Sequence, residues 1–212
     1  MDTISDDEPI VLGETGIRVR VVAGSRRQPG PDAVLRALIA ESASVPTDDV
    51  ELVHACEDCG VRHGRVTVAY PLTPSGAPRY GDVAIEGDAI VAATGTRHPL
   101  GVAVEPAVLV VGEGIDEVAL HPDERMVLRS LGAEEAALAR AALWARKNAL
   151  LRALGHSDFI EPSRLALSAP TEDGGIGRIE RSVPEFGSFW RDVVFHDVPV
   201  PGRRAASVAV IG

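Results

Sequence analysis

His54, Cys56, Cys59 and His63 stand in the order H-x-C-x-x-C-x-x-x-H. These are the side-chain types that hold zinc, although the spacing is tighter than in the usual zinc fingers. Glu86, Glu105, His98 and His121 form a second candidate set, with the residue types of acid/base chemistry. A lone histidine such as His98 is more often an exposed loop residue. The third candidate is the stretch L-W-A-R-K-N-A-L-L-R-A-L-G from Leu143 to Gly155, which holds the only lysine of the chain. Trp144, Asn148 and Arg152 recur every four residues and share one helical face, with Ala141, Ala145 and Leu151 beside them. Lys147 falls on a neighbouring stripe. An amide therefore sits beside a cation on a face that also carries bulk, and an amphipathic core helix that tolerates an asparagine has the same period.

The elements that must position these residues alternate between β and α. Ile17 to Val22 has the period of a half-buried strand, and Pro31 opens a one-faced helix to about Ser42. Val50 to Val53 and Val66 to Ala69 read as strands flanking the Cys/His loop. Asp82 to Glu86 and Ala89 to Thr94 turn at Gly87-Asp88, and Leu100 to Glu105 is an apolar strand that closes on an acid and Pro106. Val108 to Val111 reads as an edge strand. His121-Pro122-Asp123-Glu124 starts one helix, and Ala133 to Leu154 is a longer one, with acids in its first turn and Gly155 as its stop. The remainder returns to strands at Arg164 to Ser168, Arg178 to Arg181, Asp192 to Val198 and Ala206 to Ile211, the last two forming a hairpin. Trp190-Arg191-Asp192 reads as strand packing.

With 212 residues, 45% of them hydrophobic and 25% charged, the chain can bury a sizeable core. The net charge of −10 and the scattered arginines argue against nucleic acid as a partner. No apolar run reaches the roughly 18 residues of a membrane span, and the acidic start is unlike a signal peptide. Two cysteines in C-x-x-C spacing suit a reduced compartment, so the location expected is cytoplasmic. Strand, helix and strands occur once before Glu105 and once after it, so an α+β protein of two lobes is expected. Its divisions are an acidic, flexible 1–16, an N-terminal lobe at 17–102 and a C-terminal lobe at 103–212.

L-G-V-A-V-E, then L-H-P-D-E-R, then L-W-A-R-K-N-A-L-L-R-A-L-G resembles the signature of Sfp-type 4′-phosphopantetheinyl transferases, G-x-D-x-E followed by W-x-x-K-E-A and a downstream basic residue. C-E-D-C-G-V-R-H-G-R is similar to the Cys-x-x-Cys-Gly and His-Gly-Lys-Pro region of actinobacterial members, and V-P-V-P-G-R-R-A-A-S-V-A-V to their closing hairpin. The resemblance runs from about residue 31 to the end. It implies a pseudo-twofold monomer that binds coenzyme A between its lobes with Mg²⁺. Its partner would be an acyl or peptidyl carrier protein, whose serine receives the phosphopantetheine arm, in polyketide or nonribosomal-peptide secondary metabolism.

Carried over residue by residue, the motif is incomplete. Glu105 matches the second acid of G-x-D-x-E, but Ala103 stands at the first. Lys147 matches the motif lysine, and the resemblance implies a catalytic and phosphate-binding charge there, but Asn148 replaces the glutamate that serves as metal ligand and candidate base. Arg152 and Arg65 keep two phosphate-contacting charges, and Ile85-Glu86 replaces a Ser-His pair that precedes the first acid. Glu86 would then stand near Glu105, where paired carboxylates raise a pKa. Alanine cannot hold Mg²⁺, and an asparagine carbonyl is a poor base and a weaker ligand than a carboxylate. The expectation is a degenerate homologue, a pseudoenzyme for phosphopantetheinyl transfer or a repurposed enzyme, that binds coenzyme A or carrier-linked pantetheine. Asp82, Asp88, Asp116 or Glu117 would be needed to restore a ligand for Mg²⁺. An active but atypical transferase and a zinc-stabilised interaction module are the alternatives, and a loop around the coenzyme is the competing reading of the Cys/His run.

Overall fold

The strand alternation at Ile17, Val19 and Val21 resolves into a face that one sheet buries against another. The structure, a computed structural model, describes residues 8–24, 29–55, 62–155, 160–170 and 175–212, with the side chains of 55 and 62–65 outside that set. The first sheet contains β1 (Ile10–Leu12), β2 (Ile17–Ala23), β3 (Glu51–Ala55), β4 (Arg62–Tyr70), β5 (Arg79–Glu86) and β6 (Ala89–Gly95), in the order β1-β2-β6-β5-β4-β3. The second is ordered β7-β11-β10-β9-β8, from β7 (Leu100–Pro106), β8 (Ala166–Leu167), β9 (Ile176–Arg181), β10 (Val193–Val198) and β11 (Arg204–Ile211). Each pairing is antiparallel.

The described α-helices are α1 (Pro31–Ala43), α2 (Ile115–Ala119), α3 (Pro122–Arg129) and α4 (Ala133–Leu154), with short 3-10 turns between elements. Period-2 alternation sorts the side chains into layers. Val19, Val21, Val91 and Ala93 meet Val102, Val104, Val208 and Val210 between the sheets. Ile90 and Ala92 face the other way, onto Leu35, Leu38 and Ile39 of α1. Ala103, Phe195 and Ala209 face Ala145, Ala149 and Ala153 of α4. The order of layers is therefore helix, sheet, sheet, helix, an α+β architecture with one main helix on the outside of each sheet.

Local signals set the helices as read. Pro31 stands in the first turn of α1, and Gly155 adopts φ 67° as the cap of α4. His121 accepts from the Asp123 amide at 3.2 Å while Glu124 accepts from the His121 amide at 2.8 Å, a capping box that starts α3.

Several boundaries depart from the sequence reading. Residues 10–15 are not a frayed tail but form β1 and a short 3-10 turn, because Leu12 is buried against the inter-sheet core. Residues 108–111 form no strand, since none of the described strands pairs with them, and Val108, Leu109 and Val110 stay exposed. β7 lies wholly in the second sheet, so the sheets divide between β6 and β7 rather than at residue 103. Residues 189–192 form a 3-10 turn rather than a strand; Trp190 packs against the core as read, with the Arg191 guanidinium 4.8 Å from its ring centre. Among the described residues no helix is long and apolar enough to cross a membrane.

Candidate functional site

Gly101 sets how closely α4 approaches the second sheet. A methyl group at that position would lie 2.2 Å from the Ala149 carbonyl oxygen and 2.4 Å from the Ala153 nitrogen, so helix backbone rests directly on strand backbone. Asn148 and Arg152 flank that contact. Each reaches an acid on a neighbouring strand.

Asn148 donates from Nδ2 to Glu105 Oε1 at 2.7 Å. Arg152 donates from Nε and Nη2 to the two oxygens of Asp82 at 2.7 and 2.5 Å, and from Nη2 to the Val83 carbonyl at 3.2 Å. Asp82 is fully buried and also accepts the Val102 amide at 2.8 Å. The bidentate pair thus joins β5 of the first sheet to α4 of the second lobe. Burial works against the Arg152 charge, but the Asp82 carboxylate outweighs it, so the guanidinium holds its proton more firmly than an ordinary arginine. Its Nη1 has no protein partner among the described residues, which leaves two donors for a ligand.

Between these elements lies a cleft of about 540 Å³, lined by Val83 and Ile85 of β5, Ala103 and Glu105 of β7, and Asn148 and Arg152 of α4. Its size falls within the range of about 300–1,000 Å³ typical of small-molecule sites. Burial raises the Glu105 pKa; the Asn148 hydrogen bond pulls it back, and the negative charge of Glu86 pushes it up again. The charge of Glu86 is felt at Glu105, but Glu86 itself does not line the cleft. His98 and His121 are not part of the set. His98 lies at the opposite end of β7 from Glu105, and His121 caps α3.

A raised carboxylate pKa means that the folded protein favours the protonated form. Below the ordinary carboxylate range Glu105 is neutral in both states and costs nothing. As pH rises through its folded pKa, the folded state bears the charge at a disadvantage and stability falls. The Glu105→Gln variant is accordingly expected to match the parent in urea unfolding near pH 4 and to exceed it near pH 8. Equal stability at both pH values would show that Glu105 is not strained by its surroundings.

Lys147 is not brought to this cleft, contrary to the role given to it in phosphate binding. It is 1% exposed, and its ammonium meets Glu124 Oε2 at 2.6 Å and the carbonyl oxygens of Pro162, Leu165 and Ala119 at 2.9, 3.0 and 3.1 Å. Burial holds its pKa below the ordinary lysine value, with the Glu124 carboxylate opposing that shift. Arg146 is equally buried, clamped to Asp197 at 3.0 and 2.5 Å and to the Ser168 carbonyl at 2.8 Å. Two of the three cations in this part of α4 are therefore internal ties, and Arg152 alone of them lines the cleft.

The donor set in the cleft does not fit a hard divalent ion. Glu105 offers one carboxylate, Ala103 none, and Asn148 directs its NH₂ group at Glu105. The acids that could replace the missing ligand are engaged elsewhere: Asp82 with Arg152, Asp88 with Arg204, Asp116 with Arg140 and Glu117 with Arg125. Among the described residues no three His, Cys, Asp or Glu side chains converge. Cys56 and Cys59 lie outside the described residues, as do the side chains of His63 and Arg65. His54 is described, and its Nε2 lies 2.9 Å from Asp32 at the start of α1.

A second cavity of about 410 Å³ follows the N-terminal half of α4, bounded by Ala137, Ala141 and Trp144, by Ile115 and Ala119 of α2, and by Val108, Val110 and Val111. Glu105 lines both cavities. Sequence reasoning did not find this pocket, although the apolar run at 108–111 was its one visible signal. Compared with known families and curated proteins, the chain matches no family model and no curated protein.

Proposed function

We propose that this protein is a degenerate homologue of the Sfp-type 4′-phosphopantetheinyl transferases that binds coenzyme A or carrier-linked pantetheine in the cleft between its lobes. The observation that carries the reading is the cleft beside Glu105, Asn148 and Arg152, where the motif-like segments of β7 and α4 meet β5. One cation with uncommitted donors faces it, as a phosphate requires, while a carboxylate set for Mg²⁺ is lacking. Magnesium-dependent transfer is then weak or absent. The protein acts as a monomeric cytoplasmic pseudoenzyme, or as a repurposed enzyme, beside an acyl or peptidyl carrier protein in polyketide or nonribosomal-peptide metabolism.

The test is incubation with coenzyme A, Mg²⁺ and several apo carrier proteins, with the carrier followed by intact mass and coenzyme A binding by calorimetry. Binding without conversion is expected, weakened in Arg65→Ala and Arg152→Ala. Rapid formation of holo carrier would establish the active, atypical transferase instead. Absence of binding to both coenzyme A and carrier would end the pantetheine reading, and stoichiometric zinc by elemental analysis would then favour an interaction module built on His54, Cys56, Cys59 and His63.

A further inference from the structure

The two cavities lie in line along one face of α4. Ala137, Ala141 and Trp144 border the apolar pocket, and Asn148, Leu151 and Arg152 border the cleft. From residue 137 to residue 152 the helix advances roughly 22 Å, at about 1.5 Å per residue. Glu105, at the end of β7, stands where they meet.

Their chemistry differs along that length. The Arg152 end presents the unused Nη1 donors. The Glu105–Asn148 pair supplies polar contacts in the middle. Beyond it the walls are valine, isoleucine, alanine and tryptophan, and the charged lining groups Asp116 and Arg140 neutralise each other through two hydrogen bonds of 2.9 and 3.1 Å. Val110, 87% exposed, and the half-exposed Val108 and Ile115 are apolar side chains of this pocket left facing water. Exposed apolar surface grouped around a pocket marks a binding site rather than ordinary surface. A ligand suited to the whole length is an extended molecule, with hydrogen-bond acceptors for Arg152 at one end, polar in the middle and hydrocarbon at the other.

We infer that the apolar pocket beside Trp144 holds the acyl chain of a thioester whose pantetheine arm lies in the cleft, the thioester sitting at Glu105 and Asn148. This rests on the pantetheine reading of the cleft and adds the substrate class: acyl-thioesters with an aliphatic chain, in preference to the free thiol. The pocket volume of about 410 Å³ admits a chain of medium length.

The test compares coenzyme A with octanoyl-coenzyme A by calorimetry on the full chain. Each methylene removed from water is worth roughly a fourfold gain, so partial burial of the chain is expected to tighten binding about tenfold or more. Ile115→Asp, at an exposed wall position, and Ala141→Phe, which fills the pocket from the helix side, are each expected to abolish that gain and leave the affinity for coenzyme A itself unchanged. Ile115→Asp keeps the test decisive if the larger side chain disturbs α4. Equal affinity for the two ligands overturns the inference while the reading of the cleft stands, as does a gain that survives both substitutions. If neither ligand binds, both fall together. If Ile115→Asp or Val110→Asp abolishes binding of an apo carrier protein and spares the octanoyl gain, the pocket is a protein-docking face and the inference is overturned.

Discussion

Replacing Lys147 with alanine is expected to lower the free energy of unfolding by about 3–5 kcal/mol, the usual cost of removing one partner from a buried ion pair. The Lys147 ammonium is enclosed, and its four acceptors come from three pieces of chain: Glu124 from α3, Ala119 from the end of α2, and Pro162 and Leu165 from the segment before β8. Without the cation, Glu124 stays buried with the amides of His121 and Leu167 at 2.8 and 2.9 Å as its remaining donors, and three carbonyl oxygens lose a proton donor. Arginine is no conservative replacement, because its planar fork does not reproduce the ammonium geometry. Urea unfolding of Lys147→Ala and Lys147→Arg checks the expectation, and a loss below about 1 kcal/mol in the alanine variant would place the ammonium in solvent rather than at this junction. A second consequence reaches the apolar pocket. Its α2 wall is tied to α4 through Ala119, so the variant is expected to bind octanoyl-coenzyme A less tightly.

The phosphate role expected of Lys147 came from its place in the motif. A helical wheel separates its stripe from that of Trp144, Asn148 and Arg152, but says nothing about what each stripe meets. The meeting partner lies 23 residues away in Glu124, whose place in the first turn of α3 was visible, while the Lys147 ammonium at the same Oε2 that accepts the His121 amide was not. Asp82 and Arg152, 70 residues apart, show the same limit. By contrast the ends of α4 were readable, because caps are local: acids in the first turn and a glycine at positive φ after the last. The strand alternation of β2 was readable for the same reason, and the apolar run of β7, closed by an acid and Pro106, placed Glu105 near a strand end. The run Val108 to Val111 misled because apolar residues with no pairing partner line a pocket as well as a sheet. Its period alone cannot separate the two.

A methyl group added at residue 101 tests the contact on which the site depends, and Gly101→Ala is expected to cost about 3 kcal/mol, the upper end of the range for overpacking. Most overpacked sites relax by moving a side chain. Here the obstruction is the helix backbone itself, at the Ala149 carbonyl oxygen and the Ala153 nitrogen, so α4 must move as a body away from β7. Asn148 and Arg152 move with it. The Glu105 and Asp82 bonds, 2.5 to 2.7 Å long, cannot follow a shift of that kind without breaking or drawing their strands along. Gly81→Ala provides the contrast, because the atoms its methyl meets are the side-chain tips of Val68, Ile39 and Leu35 at 3.1 to 3.4 Å. That variant is expected to lose about 1 kcal/mol or less through small side-chain adjustments. Urea unfolding measures both costs, and calorimetry with coenzyme A measures the effect on the cleft. Comparable stability in the two variants would show that α4 does not rest on the β7 backbone. Unchanged coenzyme A affinity in Gly101→Ala, despite the loss of stability, would separate ligand binding from the position of this helix.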